Sequence, residues 1–174
     1  MDFESITAAT VDFVRANQAW APVIVGALAF CESLAFLSLL APATVMLVGI
    51  GALIGVTDLA FWPIWFGASV GAILGDWLSY EVGRYLETGA HRIWPLSRYP
   101  EMIAKAEDFT RRYGVWAIFF GRFFGPARAF VPLIAGIFEM PRLRFQAANI
   151  ASALIWAFGL LAPGAGLFEF LRRF

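Results

Sequence analysis

Two arginines, Arg122 and Arg128, stand inside an otherwise apolar run from residue 114 to residue 140. At the centre of a membrane helix each guanidinium costs roughly 2.5–3.5 kcal/mol on the insertion scale. Such groups turn to the protein interior or to a water-filled cavity and take a partner there. Glu32 and Asp76, in the first half of the chain, are the acids available, and an anionic ligand would be a third partner. Gly125-Pro126 lies between the arginines, so a half-helix is expected to begin at Pro126, with proline at its first position. A helix start carries about half a positive charge and free N–H groups, which suits an anion. Arg122 would close the preceding half-helix and Arg128 would stand in the first turn of the next, both aimed at one spot. Guanidinium is planar, bidentate and permanently charged, and phosphate is the anion that matches it.

Two uses of these four charges are open. Glu32 and Asp76 can neutralise Arg122 and Arg128 and simply fix the packing. Alternatively, the charges change partners during transport. A carboxylate removed from water favours its protonated form, so either acid can take up a proton when its arginine engages a substrate, coupling anion movement to a proton gradient. Other chemistries find little support. The single cysteine, Cys31, excludes an intramolecular disulfide and a thiolate cluster, and the single histidine, His91, lies in a polar connection. No metal, no cofactor and no enzymatic reaction is expected. Thirteen basic residues balance thirteen acidic ones, so no net field draws the chain to nucleic acid.

The elements that must position these residues belong in a membrane. Of 174 residues, 60% are hydrophobic and 15% charged, with a mean hydropathy of +0.72. Soluble domains run at about 45–50% and about 25%, and a domain this small has no core able to hide the surplus. The acidic start, Met1-Asp2-Phe3-Glu4, is unlike a cleaved signal. Residues 1–18 read as an interfacial helix, and residues 19–171 as one membrane domain. Within it we expect a hairpin over 33–57 interrupted at Pro42, a spanning helix over 60–86, a surface helix over 97–112, a hairpin over 114–140 and a spanning helix over 145–171. Residues 20–31 are too few to span, and Glu32 closes that run. Gly67, Gly71, Gly75, Ser79 and Gly83 recur every four residues, a ridge that lets another helix approach closely. The basic 84–112 connection is expected on the cytoplasmic side. Each half thus pairs a Pro-interrupted hairpin with a long helix, the pattern of an inverted repeat with a site near the midplane. The expected fold class is an all-α, polytopic membrane bundle with two opposed re-entrant hairpins.

Several stretches resemble the DedA family, the bacterial branch of the VTT-domain membrane proteins. They are Phe30-Cys31-Glu32, Ala41-Pro42-Ala43-Thr44, the run Gly71 to Arg84 containing Gly75-Asp76 and Tyr80, and the run Gly121 to Gly136 containing Arg122, Pro126, Arg128 and Pro132. Met140, Phe145, Asn149 and Trp156 continue the match. The resemblance implies return of undecaprenyl phosphate across the bacterial inner membrane with dependence on the proton gradient; eukaryotic relatives scramble phospholipids. It matches Glu32 to the family's essential hairpin acid and Arg122 and Arg128 to its paired arginines. Many members carry a second acid just after the first-hairpin proline-glycine, where this chain reads Pro42-Ala43-Thr44. Thr44 takes up no proton, so coupling would fall to Glu32 or Asp76.

The resulting expectation is a multi-pass inner-membrane transporter of a lipid phosphate. Arg122, Arg128 and Thr44 would hold the phosphate, Glu32 and Asp76 would couple it to protons or ion pairs, and Tyr80, Asn149, Pro42, Gly125 and Pro126 would support the site. Partners are an anionic lipid, the membrane and protons, and a homo-oligomer is compatible with the chain. The alternative is an uncoupled phospholipid scramblase.

Overall fold

The computed structural model describes residues 12–13, 16–34, 43–57, 59–86, 108, 112–124 and 127–166. Pro42, Gly125, Pro126 and His91 lie outside the described residues, as do most of the expected interfacial helix (1–18) and surface helix (97–112). Every described element is helical, and no strand occurs among the described residues. A 3-10 turn, Gln18–Trp20, leads into α1 (Ala21–Ser33). Then come α2 (Ala43–Val56), α3 (Phe61–Tyr85), α4 (Val115–Gly121), α5 (Ala127–Ile137) and α6 (Arg142–Leu161).

Proline sets several boundaries. Pro22 stands in the first turn of α1 and Pro63 in that of α3, where the missing N–H has no intrahelical partner to lose. Pro141 precedes α6, and Pro163 follows its end at Leu161 and Ala162. Two bounds differ from the sequence reading. Residue 33, expected to open a hairpin over 33–57, is instead the last residue of α1, and the backbone turns extended at Leu34 (φ −80°, ψ 128°). Glu32 ends the apolar run but not the helix, since glutamate is a good helix former. α6 begins before residue 145 and stops well short of 171, since Pro163 cannot continue it.

Contacts between the helices repeat under exchange of the two halves. α1 packs on α3 as α4 packs on α6, α2 meets α1 as α5 meets α4, and each second arm crosses over, α2 to α6 and α5 to α3. Pro22, Gly26 and Phe30 follow Gly67, Gly71 and Gly75 in register, so α1 runs parallel to α3. Ile118 shares a core with Phe145 and Ala148, and Arg122 reaches Asn149 and Ser152, so α4 runs parallel to α6. The long helices oppose each other: Trp65 donates to the Leu154 carbonyl (3.1 Å), Asn149 to the Ile73 carbonyl (3.1 Å), and Tyr80 stacks on Phe145 at 4.2 Å. The halves are therefore antiparallel. Both α1 and α2 have their outer ends beside the start of α3 and the end of α6, and Glu32 and Thr44 meet at mid-height.

The glycine ridge does what its spacing predicts. A Cβ on Gly71 would strike the carbonyl oxygen of Gly26, and one on Gly136 would strike that of Tyr80. Only backbone fits there, which brings α1 and α5 against opposite ends of α3. Two larger apolar cores result, with a smaller one around Leu133 and Ile137. Val25, Leu47, Ile50, Ile64, Trp156 and Leu161 fill one, while Tyr80, Ile118, Met140 and Phe145 fill the other.

Among the described residues, no helix is long and apolar enough to cross a membrane. The shorter helices lack length. α3 and α6 have the length, but they carry the polar residues described next, and these dilute their hydropathy. Large apolar side chains are nevertheless exposed, including Trp20, Trp62, Phe66, Trp77, Trp116, Phe124 and Leu143. Surface patches of this kind mark a membrane or a partner.

Candidate functional site

Between the two larger apolar cores lies a buried charged cluster built from the end of α1, the start of α2, the end of α4, the start of α5 and the middles of α3 and α6. Glu32 comes from the last turn of α1, Thr44 from the first turn of α2, Arg122 from the end of α4 and Arg128 from the first turn of α5. Asp76 projects from α3, and Asn149, Ser152 and Trp156 from one face of α6.

The charges pair across the halves. Arg128 Nη1 donates to Glu32 Oε1 at 3.0 Å, with the two side chains 10% and 4% exposed. Thr44 donates its hydroxyl to the same oxygen. Arg122 donates through Nη2 to Asp76 Oδ2, and this pair is 4% and 8% exposed. The same Nη2 reaches Asn149 Oδ1 (2.6 Å), and Arg122 Nε reaches Ser152 Oγ (3.0 Å). Asn149 in turn donates to the Ile73 carbonyl, so α3 and α6 are tied together around Arg122. Both guanidiniums approach one indole: Arg128 Cζ is 4.6 Å and Arg122 Cζ 6.0 Å from the Trp156 ring centroid.

The two arginines are satisfied to different degrees. Arg122 has partners in three directions. Around Arg128, by contrast, Arg128 Nη2 and Glu32 Oε2 are buried and find no hydrogen-bond partner among the described residues. An unmade hydrogen bond of a buried charged group is costly. A free donor beside a free carboxylate oxygen matches a small polar group that bears both an acceptor and a donor. Among the described residues no group of acids, cysteine or histidine could hold a metal ion.

Of the residues singled out from the sequence, Glu32, Thr44, Asp76, Arg122, Arg128 and Asn149 come together. Tyr80 does not join Asp76. Its hydroxyl donates to the Met140 carbonyl, accepts from Arg84 Nη1 at 3.3 Å and leaves the Asp76 carboxylate to Arg122. Ser152 and the role of Trp156 were not anticipated. The signal was present, since residues 149, 152 and 156 share a helical face, but a serine and a tryptophan in an apolar helix read as packing. At the far end of α3, exposed Glu81 receives both Nε and Nη2 of Arg142 at 3.0 Å, which pins the start of α6.

The VTT domain model matches residues 41–166. The chain is 34% identical over 152 residues to the inner membrane protein YabI of Escherichia coli (strain K12), an alignment covering 87% of this chain and 60% of YabI. It is 30% identical over 152 residues to the uncharacterized membrane protein BU139 of Buchnera aphidicola subsp. Acyrthosiphon pisum, covering 87% and 59%. It is 35% identical over 162 residues to the uncharacterized membrane protein Rv2637 of Mycobacterium tuberculosis (strain H37Rv), covering 87% and 73%. The chain thus spans about three fifths of the length of YabI and BU139. No solved structure matches it. An all-helical bundle of two opposed halves, apolar outside and charged at mid-height, agrees with these likenesses: this chain is a membrane protein and belongs to the VTT-domain family, alongside the DedA-type protein YabI.

Proposed function

We propose that the protein carries a lipid phosphate, with undecaprenyl phosphate the favoured substrate, across the inner membrane. In this reading the α1–α2 and α4–α5 pairs are re-entrant hairpins that enter from opposite faces, and α3 and α6 are the spanning helices. The placement of each hairpin's outer ends at one end of the bundle supports this. One observation carries the functional reading: a buried guanidinium edge, Arg128 Nη2, lies unpaired beside an unpaired carboxylate oxygen where the two hairpins meet. A phosphate head would accept from Arg128 and offer a P–OH or a proton to Glu32. Arg122, held by Asp76, Asn149 and Ser152, would supply the adjoining positive field. The lipid tail would stay outside, in the membrane. No bond is made or broken, so the protein acts as a transporter rather than an enzyme.

The test is transport of a fluorescent polyprenyl phosphate in proteoliposomes, with and without an imposed pH gradient. Head-group translocation that responds to the gradient is expected. Thr44 favours the uncoupled alternative, a phospholipid scramblase, because it donates to Glu32 where a second acid would exchange protons. Transport indifferent to the gradient, with phosphatidylcholine moving as fast as the phosphate, would select that alternative. Failure to move either lipid would remove both readings.

A further inference from the structure

Trp156 makes none of the hydrogen bonds or ion pairs given for the cluster, yet both guanidiniums come to its ring. The indole is buried, 6% exposed, and one side of it joins the apolar core formed with α1, α2 and α3. Arg128 therefore has two holders of different kinds. Glu32 holds it by occupying an N–H donor, and competes with any incoming anion for that donor. A ring face attracts a cation through its quadrupole and occupies no donor at all. A guanidinium that released Glu32 with no second holder would be a buried cation free to swing away.

We infer that Trp156 is a positioning residue for anion binding: its indole keeps the Arg128 guanidinium in place while that side chain exchanges Glu32 for the phosphate head. This rests on the reading of the cluster as a phosphate site. Trp156 itself does not touch the anion. The centroid of the same ring lies 6.0 Å from Arg122 Cζ, so one indole lies beside both positive groups.

The experiment measures binding of dodecyl phosphate to the full chain in phosphatidylcholine nanodiscs. Trp156 is replaced site-specifically by mono-, di-, tri- and tetrafluorotryptophan, which keep the shape of the ring and progressively weaken its negative face. Thermal unfolding of each variant checks that the bundle is intact. Affinity is expected to fall stepwise, by about tenfold or more across the series. Trp156→Phe should retain part of the affinity and Trp156→Leu little of it. An affinity that stays flat across the fluorinated series overturns the inference, because packing alone is blind to the quadrupole. If the unaltered protein fails to bind dodecyl phosphate, the phosphate-site reading itself falls. Binding that occurs but ignores fluorination removes only the role of Trp156.

Discussion

Arg122 and Arg128 are equivalent as letters in an apolar run, and the tertiary structure gives them unlike surroundings. Arg128 meets one carboxylate oxygen and one aromatic face, and keeps a free Nη2. Removing it leaves Glu32 buried without its cation, and breaking a buried pair in this way costs about 3–5 kcal/mol. Arg128→Ala is therefore expected to abolish transport and to lower thermal stability sharply. Adding Glu32→Gln should restore most of the stability and none of the transport, because the amide keeps an acceptor for Thr44 but no anion-binding cation returns. Unfolding and flux measured on the same preparations separate the two effects, and full transport by Arg128→Ala would remove its phosphate role. Arg122 makes a different prediction. Its Nε and Nη2 reach three side chains on two helices, a fork that an ammonium cannot reproduce. Arg122→Lys is expected to cost about 1.5–3 kcal/mol, the worth of a hydrogen bond to a charged group, and to lose transport. Unfolding in detergent at wild-type temperature would contradict it.

The helices are held to these distances by backbone contact rather than by bulky side chains. Gly71 meets the Gly26 carbonyl and Gly136 meets that of Tyr80, so α3 is gripped by α1 at one end and by α5 at the other. Gly159 has open space where a Cβ would go. Gly71→Ala should force α1 off α3 and destabilise the protein by about 1–3 kcal/mol, as overpacking does. Gly159→Ala should be neutral or stabilise by up to about 1 kcal/mol through helix propensity. Thermal unfolding of the two variants side by side checks the contrast, and equal effects would mean that the ridge is not a contact surface. The exposed Glu81–Arg142 pair is a weaker fastening, since surface ion pairs contribute about 0–1 kcal/mol.

At the scale of the molecule, the opposition of α3 and α6 makes the two ends of the bundle chemically distinct. Trp20 and Trp62 lie toward the end where α3 starts, while Leu143 lies toward the end where α6 starts, and all three are exposed. In a Cys31→Ser background, Trp20→Cys and Leu143→Cys are expected to react with a membrane-impermeant maleimide from opposite sides. Sealed vesicles of the two orientations make the comparison. Labelling of both from one side would show that the bundle does not cross the bilayer. The same opposition brings the acids of the first half to the arginines of the second, so neither half contains a neutral site alone.

Much of this was legible in the chain itself. Hydrophobic excess and a four-residue glycine spacing are local properties, and they determine helices and a close-packed face without reference to anything distant. That Glu32 and Asp76 are the acids available to Arg122 and Arg128 is also legible there, since buried charges need partners. Which acid takes which arginine did not follow, nor did the turning of Tyr80 toward Met140, the grip of Ser152 on Arg122 or the use of Trp156 by two cations. These depend on the register between antiparallel helices. Register is decided by where glycine backbones seat against carbonyls many residues away, a relation between distant segments that no local pattern contains.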